Sequence, residues 1–228
     1  MGSLKEQTEA KVKAGRQAKP EFMKGVDEVI TKAKELQEGR DAIQIGHAAP
    51  HFTLPDASGK VVSLADSLKK GPVVVTFYRG SWCPYCNLQL RAIHSRLNEI
   101  HILGAELIAI SPQVPDGSME AKEIDELGFV VLSDQDAQVA AQYGVAWQVP
   151  EFLAEHMRID RKLDLEAINN GNGKILPIPG TFVLNQAGIV TWRYVDVDYR
   201  TRAEPSYMTE ALKDIRGEEL FQKQQMKI

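Results

Sequence analysis

The chain has 228 residues, of which 43% are hydrophobic and 25% are charged, a composition typical of a globular protein with one main core. Its formal net charge of −4 offers no basic surface for nucleic acid, so that class of partner is excluded. No apolar run approaches the ~18 residues of a membrane-spanning helix, and the first residues lack a signal-peptide core, so we expect a cytoplasmic protein without membrane contact.

Residues 1–44 are predicted to form a helical extension ahead of the main domain. After Pro20 the apolar residues repeat along one helical face as far as Leu36, and Gly39 is predicted to end this helix. An amphipathic helix must bury its apolar face, either against its own domain or against a second copy of the chain. The sequence leaves both open, and the second would make the protein a homodimer.

A hairpin is predicted next, over residues 51–54 and 60–64, because turn residues separate two short segments. Residues 73–78 are β-branched or aromatic with no polar alternation, which indicates a strand covered on both faces. Apolar residues then recur at helical spacing as far as residue 100. This pattern predicts one helix starting near Ser81 or Trp82, with Ser81 as its N-cap.

The two cysteines of the chain, Cys83 and Cys86, lie three positions apart at the start of this predicted helix. Free backbone amides and the helix dipole stabilise a thiolate there, and can lower a cysteine pKa from ~8.5 into the ~3.5–7.5 range. Pro84 between them is compatible with a first helical turn. Positions i and i+3 also bring two sulfurs within disulfide reach. The pair therefore predicts a reversible redox dithiol.

Inert buried cysteines, half of a zinc site and a structural disulfide remain as other interpretations of this pair. Zinc needs four ligands, and the chain has no second CxxC or CxC pair. The five histidines show no spacing typical of a nucleophile and its base, so each is interpreted as a surface or core residue. We expect no metal and no cofactor, with electrons supplied by another thiol system.

Strands and helices alternate beyond the cysteines. Strands are predicted over residues 105–110 and 129–132, with one helix between them over 118–127 and another over 134–143. The first of these strands follows a crossover of βαβ length, so it is expected to lie parallel to residues 73–78.

The remaining residues complete a mixed sheet flanked by helices. Residues 146–178 are less regular and are predicted to be an insertion, with a helix over 151–161. A closing hairpin is predicted over 181–185 and 189–195. A last helix over 205–215 and a polar tail follow. The order of elements predicts an α/β fold.

Several stretches resemble known families. WCPYC after a strand and the late segment IPGTFVLNQAG are similar to the thioredoxin superfamily. GHAAPHFTLPDASGKVVSL and VLSDQDAQVAAQYGV resemble its alkyl hydroperoxide reductase and thiol-specific antioxidant branch, the peroxiredoxins. The match runs from residue 45 to 215. It implies a thioredoxin-like domain over residues 45–228 and a thiol-dependent peroxidase that reduces hydrogen peroxide or organic hydroperoxides.

The resemblance also implies roles for single residues. Counted from the strand residue Phe77, the peroxidatic cysteine of peroxiredoxins corresponds to Cys86, and Cys83 stands where they carry Thr or Ser. The arginine that orients the peroxide has no counterpart, because Pro179 and its neighbours occupy that stretch. Four arginines are candidates to replace it: Arg79, Arg193, Arg200 and Arg202.

A second resemblance supports an alternative function. Pro179 corresponds to the cis proline that thioredoxin-like disulfide oxidoreductases carry beside their CxxC pair, and Pro84 with Tyr85 resembles glutaredoxins. In that alternative Cys83 attacks a substrate disulfide, and Trp82 and Tyr85 flank the contact surface. A further alternative is a non-enzymatic interaction module with idle cysteines. For either enzyme, a thioredoxin- or glutathione-type thiol is the expected reductant.

Overall fold

A computed structural model describes residues 2–114 and 128–225, so the helix predicted over 118–127 lies outside the described residues. None of the described helices combines the length and apolarity that crossing a bilayer requires. In chain order the helices and strands are α1 (Leu4–Ala18), α2 (Pro20–Glu35), β1 (Thr53–Pro55), β2 (Val61–Ser63), α3 (Leu64–Leu68), β3 (Val73–Phe77), α4 (Pro84–His94), α5 (Leu97–Ile102), β4 (Glu106–Ser111), β5 (Val130–Ser133), α6 (Gln138–Gln142), β6 (Ala146–Gln148), α7 (Glu151–Glu155), α8 (Leu165–Asn169), β7 (Ile175–Pro177), β8 (Gly180–Leu184), β9 (Val190–Val195) and α9 (Pro205–Gln225).

A five-stranded mixed sheet in the order β5-β4-β3-β8-β9 forms the centre of the molecule. β3 lies parallel to β4, as the crossover length predicted, and antiparallel to β8. β8 and β9 form the predicted closing hairpin. Every residue of β3 is buried, which explains its lack of polar alternation. These pairings and the flanking helices confirm the predicted α/β fold.

Two apolar clusters cover the two faces of this sheet. Val73, Val75 and Phe77 point into the larger cluster, whereas Val74 points into the smaller one. The smaller cluster also contains both cysteines and residues of α4, α5 and α9. The dithiol is therefore built into the apolar layer between the sheet and these helices.

The N-terminal extension contains two helices where the sequence analysis predicted one. α2 ends at Glu35, four residues before Gly39, and its apolar face packs into the larger cluster of its own domain. α1 was not predicted, because it is polar and buries only Leu4 and Thr8 among its residues. A capping box from Ser3 starts it. The boundary at residue 44, the insertion over 146–178 and the homodimer stay predictions.

Two other helices differ from their predicted lengths. The helix after the cysteines is divided into α4 and α5, because the hydroxyl of Ser95 donates to the carbonyl of Ala92 at 2.7 Å and Arg96 leaves helical geometry. α9 extends to Gln225, ten residues further than predicted, since Gly217 is exposed, meets no neighbour within 4 Å and is tolerated within a helix.

Candidate active site

The turn between β3 and α4 determines where the cysteines lie. Gly80 has a φ of +138°, which reverses the chain after the strand, and the amide of Cys83 donates to its carbonyl at 3.1 Å. Cys83, not Ser81, is the N-cap of α4, and Pro84 is its first residue. The prediction of Ser81 as N-cap was wrong because its amide and hydroxyl both donate to Oε1 of Gln113, at 2.8 and 3.0 Å.

The two sulfur atoms lie 2.7 Å apart, and both thiols are free. Cys83 is 1% exposed and Cys86 is fully buried, so neither is a surface thiol. Nη2 of Arg202 lies 3.4 Å from the sulfur of Cys86. The pair is therefore poised to form a disulfide in an otherwise apolar layer that contains a buried positive charge.

The surroundings of the two sulfurs differ in their effect on pKa. Burial raises the pKa of Cys86, but the hydrogen bond with Cys83, the charge of Arg202, and the backbone amide and charge of Arg79 lower it to about 5. Burial, followed by the hydrogen bond and charge of Cys86, raises the pKa of Cys83 well above its ordinary value. These surroundings therefore favour the thiolate at Cys86 and the protonated thiol at Cys83.

Arg79 lies beside the dithiol and is only 4% exposed. Its guanidinium carbon stands 4.3 Å from the ring centre of Tyr199 and 5.2 Å from that of Trp82. Nη2 points at the sulfur of Met157 at 3.7 Å, and among the described residues Nε has no hydrogen-bond partner. Arg79 is a buried cation held by aromatic rings, with a donor free for a ligand.

The other two candidate arginines are occupied away from the dithiol. Arg193 donates to the carbonyls of Ala42 and Ile43, at 2.6 and 2.9 Å. Arg200 forms ion pairs with the carboxylates of Asp198 and Asp27. Of the four arginines that the sequence offered, the structure brings only Arg79 and Arg202 to the cysteines.

A cavity of about 420 Å³ opens on the Cys83 side of the pair. Trp82, Pro84 and Tyr85 line it together with Arg79, so most of the predicted site-shaping residues do meet here. Tyr199 also lines it and stacks edge-on against Tyr85, with 6.0 Å between the ring centres. The face of the dithiol that meets the cavity is therefore aromatic and cationic.

Pro179 is the predicted site-shaping residue that does not line this cavity. All peptide bonds among the described residues are trans, so the cis proline implied by the resemblance is absent. The amide of Ile178 donates to the carbonyl of Val145, and Gly180 pairs with Phe77, so the chain enters β8 without a cis bond. A role of Pro179 in shaping the site stays a prediction.

Most residues that line the cavity were not predicted from the sequence as parts of the site, and three of them lie close to the cysteine turn or carry polar groups. Tyr199 comes from the loop after β9, and His156 and Met157 come from the π-helix His156–Asp160 that continues α7. His156, interpreted from the sequence as surface or core, lines the cavity and pairs with Asp160 at 2.6 Å. No spacing in the sequence links these residues to the cysteines, because only the fold brings the segments together.

Replacing Gly80 by alanine is expected to destabilise the protein by about 2 kcal/mol, since a side chain is strained at positive φ and its Cβ would clash with the indole Nε1 of Trp82. Gly46 is the matched control: its φ is +87°, but a Cβ there meets nothing within 4 Å, so G46A should cost about 1 kcal/mol. Urea unfolding measures both. Equal losses would show that the contact with Trp82 is unimportant.

A family model described as the AhpC/TSA family matches residues 45–193. A putative peroxiredoxin Bcp of Haemophilus influenzae is 37% identical over 111 residues, 49% of this chain and 70% of that protein. Peroxiredoxin Bcp of Escherichia coli K12 is 33% identical over 113 residues, 50% of this chain and 71% of that protein.

Solved structures show the same fold. Peroxidoxin BcpB from Mycobacterium tuberculosis matches with a TM-score of 0.56 and 24% identity, over 77% of this chain and 97% of that one. A reduced 2-Cys peroxiredoxin from Plasmodium vivax matches with a TM-score of 0.57 and 16% identity, over 78% and 85%. The family model and the two Bcp relatives favour a thiol-dependent peroxidase over the disulfide oxidoreductase and the non-enzymatic module, and the chain belongs to the AhpC/TSA family.

Proposed function

We propose that this protein reduces peroxides with Cys86 as the attacking thiolate and Cys83 as the thiol that resolves the oxidised product. One observation carries the assignment: the sulfur of Cys86 lies both 3.4 Å from Nη2 of Arg202 and 2.7 Å from the sulfur of Cys83. The cation favours the thiolate, and the neighbouring thiol stands where a disulfide can form.

The reaction then has two steps in this site. The Cys86 thiolate attacks one peroxide oxygen, the O–O bond breaks, and the leaving oxygen takes a proton to become water or an alcohol. Cys86 is left as a sulfenic acid. The sulfur of Cys83 attacks it, forms the Cys83–Cys86 disulfide and releases water. An external thiol reductant returns the pair to the dithiol.

Arg202 is proposed to replace the orienting arginine that the late strand lacks. It borders a second cavity of about 640 Å³, between α1 and the segment after β9, and it also contacts Cys86. Because Arg202 borders this cavity and also contacts Cys86, we infer that peroxide approaches the sulfur from this side, past the guanidinium. The same positive charge stabilises the negative charge that develops on the leaving oxygen.

The surroundings of Cys83 argue against the disulfide oxidoreductase. In that mechanism Cys83 attacks a partner disulfide, which requires an accessible thiolate. Here the Cys83 thiol is 1% exposed, and burial raises its pKa well above the ordinary value. Cys86 is the better nucleophile of the two, and a peroxide is small enough to reach a buried sulfur.

The rate of oxidation by peroxide is expected to be flat above about pH 6 and to fall about tenfold per unit below about pH 5. The rate falls in acid because the pKa of Cys86 is lowered to about 5. At neutral pH nearly all of the Cys86 sulfur is then the reactive thiolate, and below that pKa it becomes protonated. Stopped-flow tryptophan fluorescence, reporting through Trp82 beside the pair, measures this profile. A rate that keeps rising to about pH 8.5 would contradict the assignment.

A further inference from the structure

The cavity beside Cys83 is larger than a peroxide needs. Its volume of about 420 Å³ falls in the range of small-molecule sites, ~300–1,000 Å³, whereas hydrogen peroxide contains only two heavy atoms. Lys11, Ala14, Gly15 and Ala18 of α1 line it on one side, opposite Cys83 at the start of α4. The cavity is thus a pocket between α1 and the dithiol.

The charged groups that line this pocket are of one sign. Lys11, Arg79 and Arg161 contribute three cations, and His156 contributes an imidazole that pairs with Asp160 outside the pocket. None of the described residues that line it is acidic. Arg79 is 4% exposed, and its Nε has no hydrogen-bond partner among the described residues. This buried N–H group can therefore donate a hydrogen bond to an acceptor on a ligand.

The pocket reaches one sulfur and not the other. Cys83 lines it, and Cys86 does not. In the disulfide state, a thiol bound here would therefore attack the sulfur of Cys83, with Cys86 as the leaving group. Arg202, at 3.4 Å from the sulfur of Cys86, stabilises the thiolate that leaves.

We propose that this pocket binds the reductant, a low-molecular-weight thiol that carries carboxylates; the inference rests on the proposed function. The thiolate of the ligand attacks Cys83, the Cys83–Cys86 bond breaks, and Cys86 leaves as a thiolate. A second molecule of the thiol attacks the ligand sulfur of the mixed disulfide. It releases the oxidised ligand dimer and Cys83, which takes up a proton, so two electrons pass from two thiols to one disulfide.

α1 disfavours a protein as the reductant. The amides of Leu4 and Lys5 donate to the carboxylate of Glu204, at 3.2 and 2.7 Å, and Arg16 pairs with Asp27 of α2 at 3.0 Å. These contacts hold α1 across the pocket. A protein dithiol would have to displace the helix to reach Cys83, whereas a small thiol needs only the pocket.

The test measures the reductive step alone. The full chain is first oxidised to the disulfide with diamide and is then mixed with either anionic glutathione or cationic cysteamine. Tryptophan fluorescence follows the reduction, and each rate is divided by the concentration of the thiolate form of the added thiol. We expect glutathione to react about tenfold faster, because the cations attract one thiol and repel the other. The double variant Lys11→Gln with Arg161→Gln should lose most of this preference.

Arg158→Gln is the matched control, since Arg158 is exposed three residues before Arg161 and does not line the pocket. Its preference should equal that of the unaltered chain. Equal rates for the two thiols, a preference that survives the double variant, or faster reduction by thioredoxin than by glutathione at equal concentration would each overturn the proposal. Because diamide replaces peroxide, failure of the peroxidase itself is seen separately, as a disulfide that peroxide does not form.

Discussion

Replacing Cys86 by serine is expected to abolish peroxide reduction, lowering kcat/KM by about a thousandfold or more. A serine hydroxyl is not ionised at neutral pH, so the contact with Arg202 at 3.4 Å has no thiolate to stabilise. Peroxide consumption with an added thiol measures the loss. Mass spectrometry of the variant after peroxide should show Cys83 still reduced, since burial, the largest of the effects that raise its pKa, remains when Cys86 is replaced.

Cys83→Ser provides the matched comparison. Cys86 keeps Arg202 as its cation, so the first reaction with peroxide should proceed, but the sulfenic acid has no thiol at 2.7 Å to condense with. A sulfenic-acid probe should label Cys86 in this variant after one equivalent of peroxide, and turnover should then depend on external thiol alone. Peroxide consumption that survives in Cys86→Ser and vanishes in Cys83→Ser would reverse the two roles.

Replacing Arg202 by methionine is expected to slow oxidation by peroxide about 100-fold at pH 7. Burial raises the pKa of Cys86. The charge of Arg202 is one of the effects that outweigh burial and lower this pKa to about 5. Without this charge the pKa rises, the thiolate fraction at pH 7 falls, and the leaving oxygen loses a nearby cation. The stopped-flow pH profile measures both effects, because its midpoint should move upward.

The conservative variant Arg202→Lys separates charge from packing. It retains a cation and should recover part of the rate with a midpoint closer to that of the unaltered protein. Arg193→Met is the control for loss of a neighbouring arginine, because Arg193 holds the carbonyls of Ala42 and Ile43 and leaves the dithiol untouched. An Arg202→Met profile with an unchanged midpoint would remove Arg202 from the proposed mechanism.

The sequence by itself determined the features that depend on neighbours along the chain. The uniform apolar run of β3 predicted a central strand, and the spacing of Cys83 and Cys86 predicted sulfurs within bonding reach. The crossover length predicted the parallel pairing with β4. Each follows from local periodicity or chain connectivity, which a sequence displays directly.

Contacts between distant segments were decided only by the tertiary structure. Arg202 lies 116 positions from Cys86, and neither it nor Arg79 could be distinguished from Arg193 and Arg200 by spacing. The packing of α1 beside the pocket could not be predicted either, because a polar helix has no apolar face that would indicate where it packs. The chemistry of the dithiol therefore depends on packing. The paired sulfurs follow from local order, but the charge beside Cys86 and the pocket that borders Cys83 exist only once remote segments are brought together.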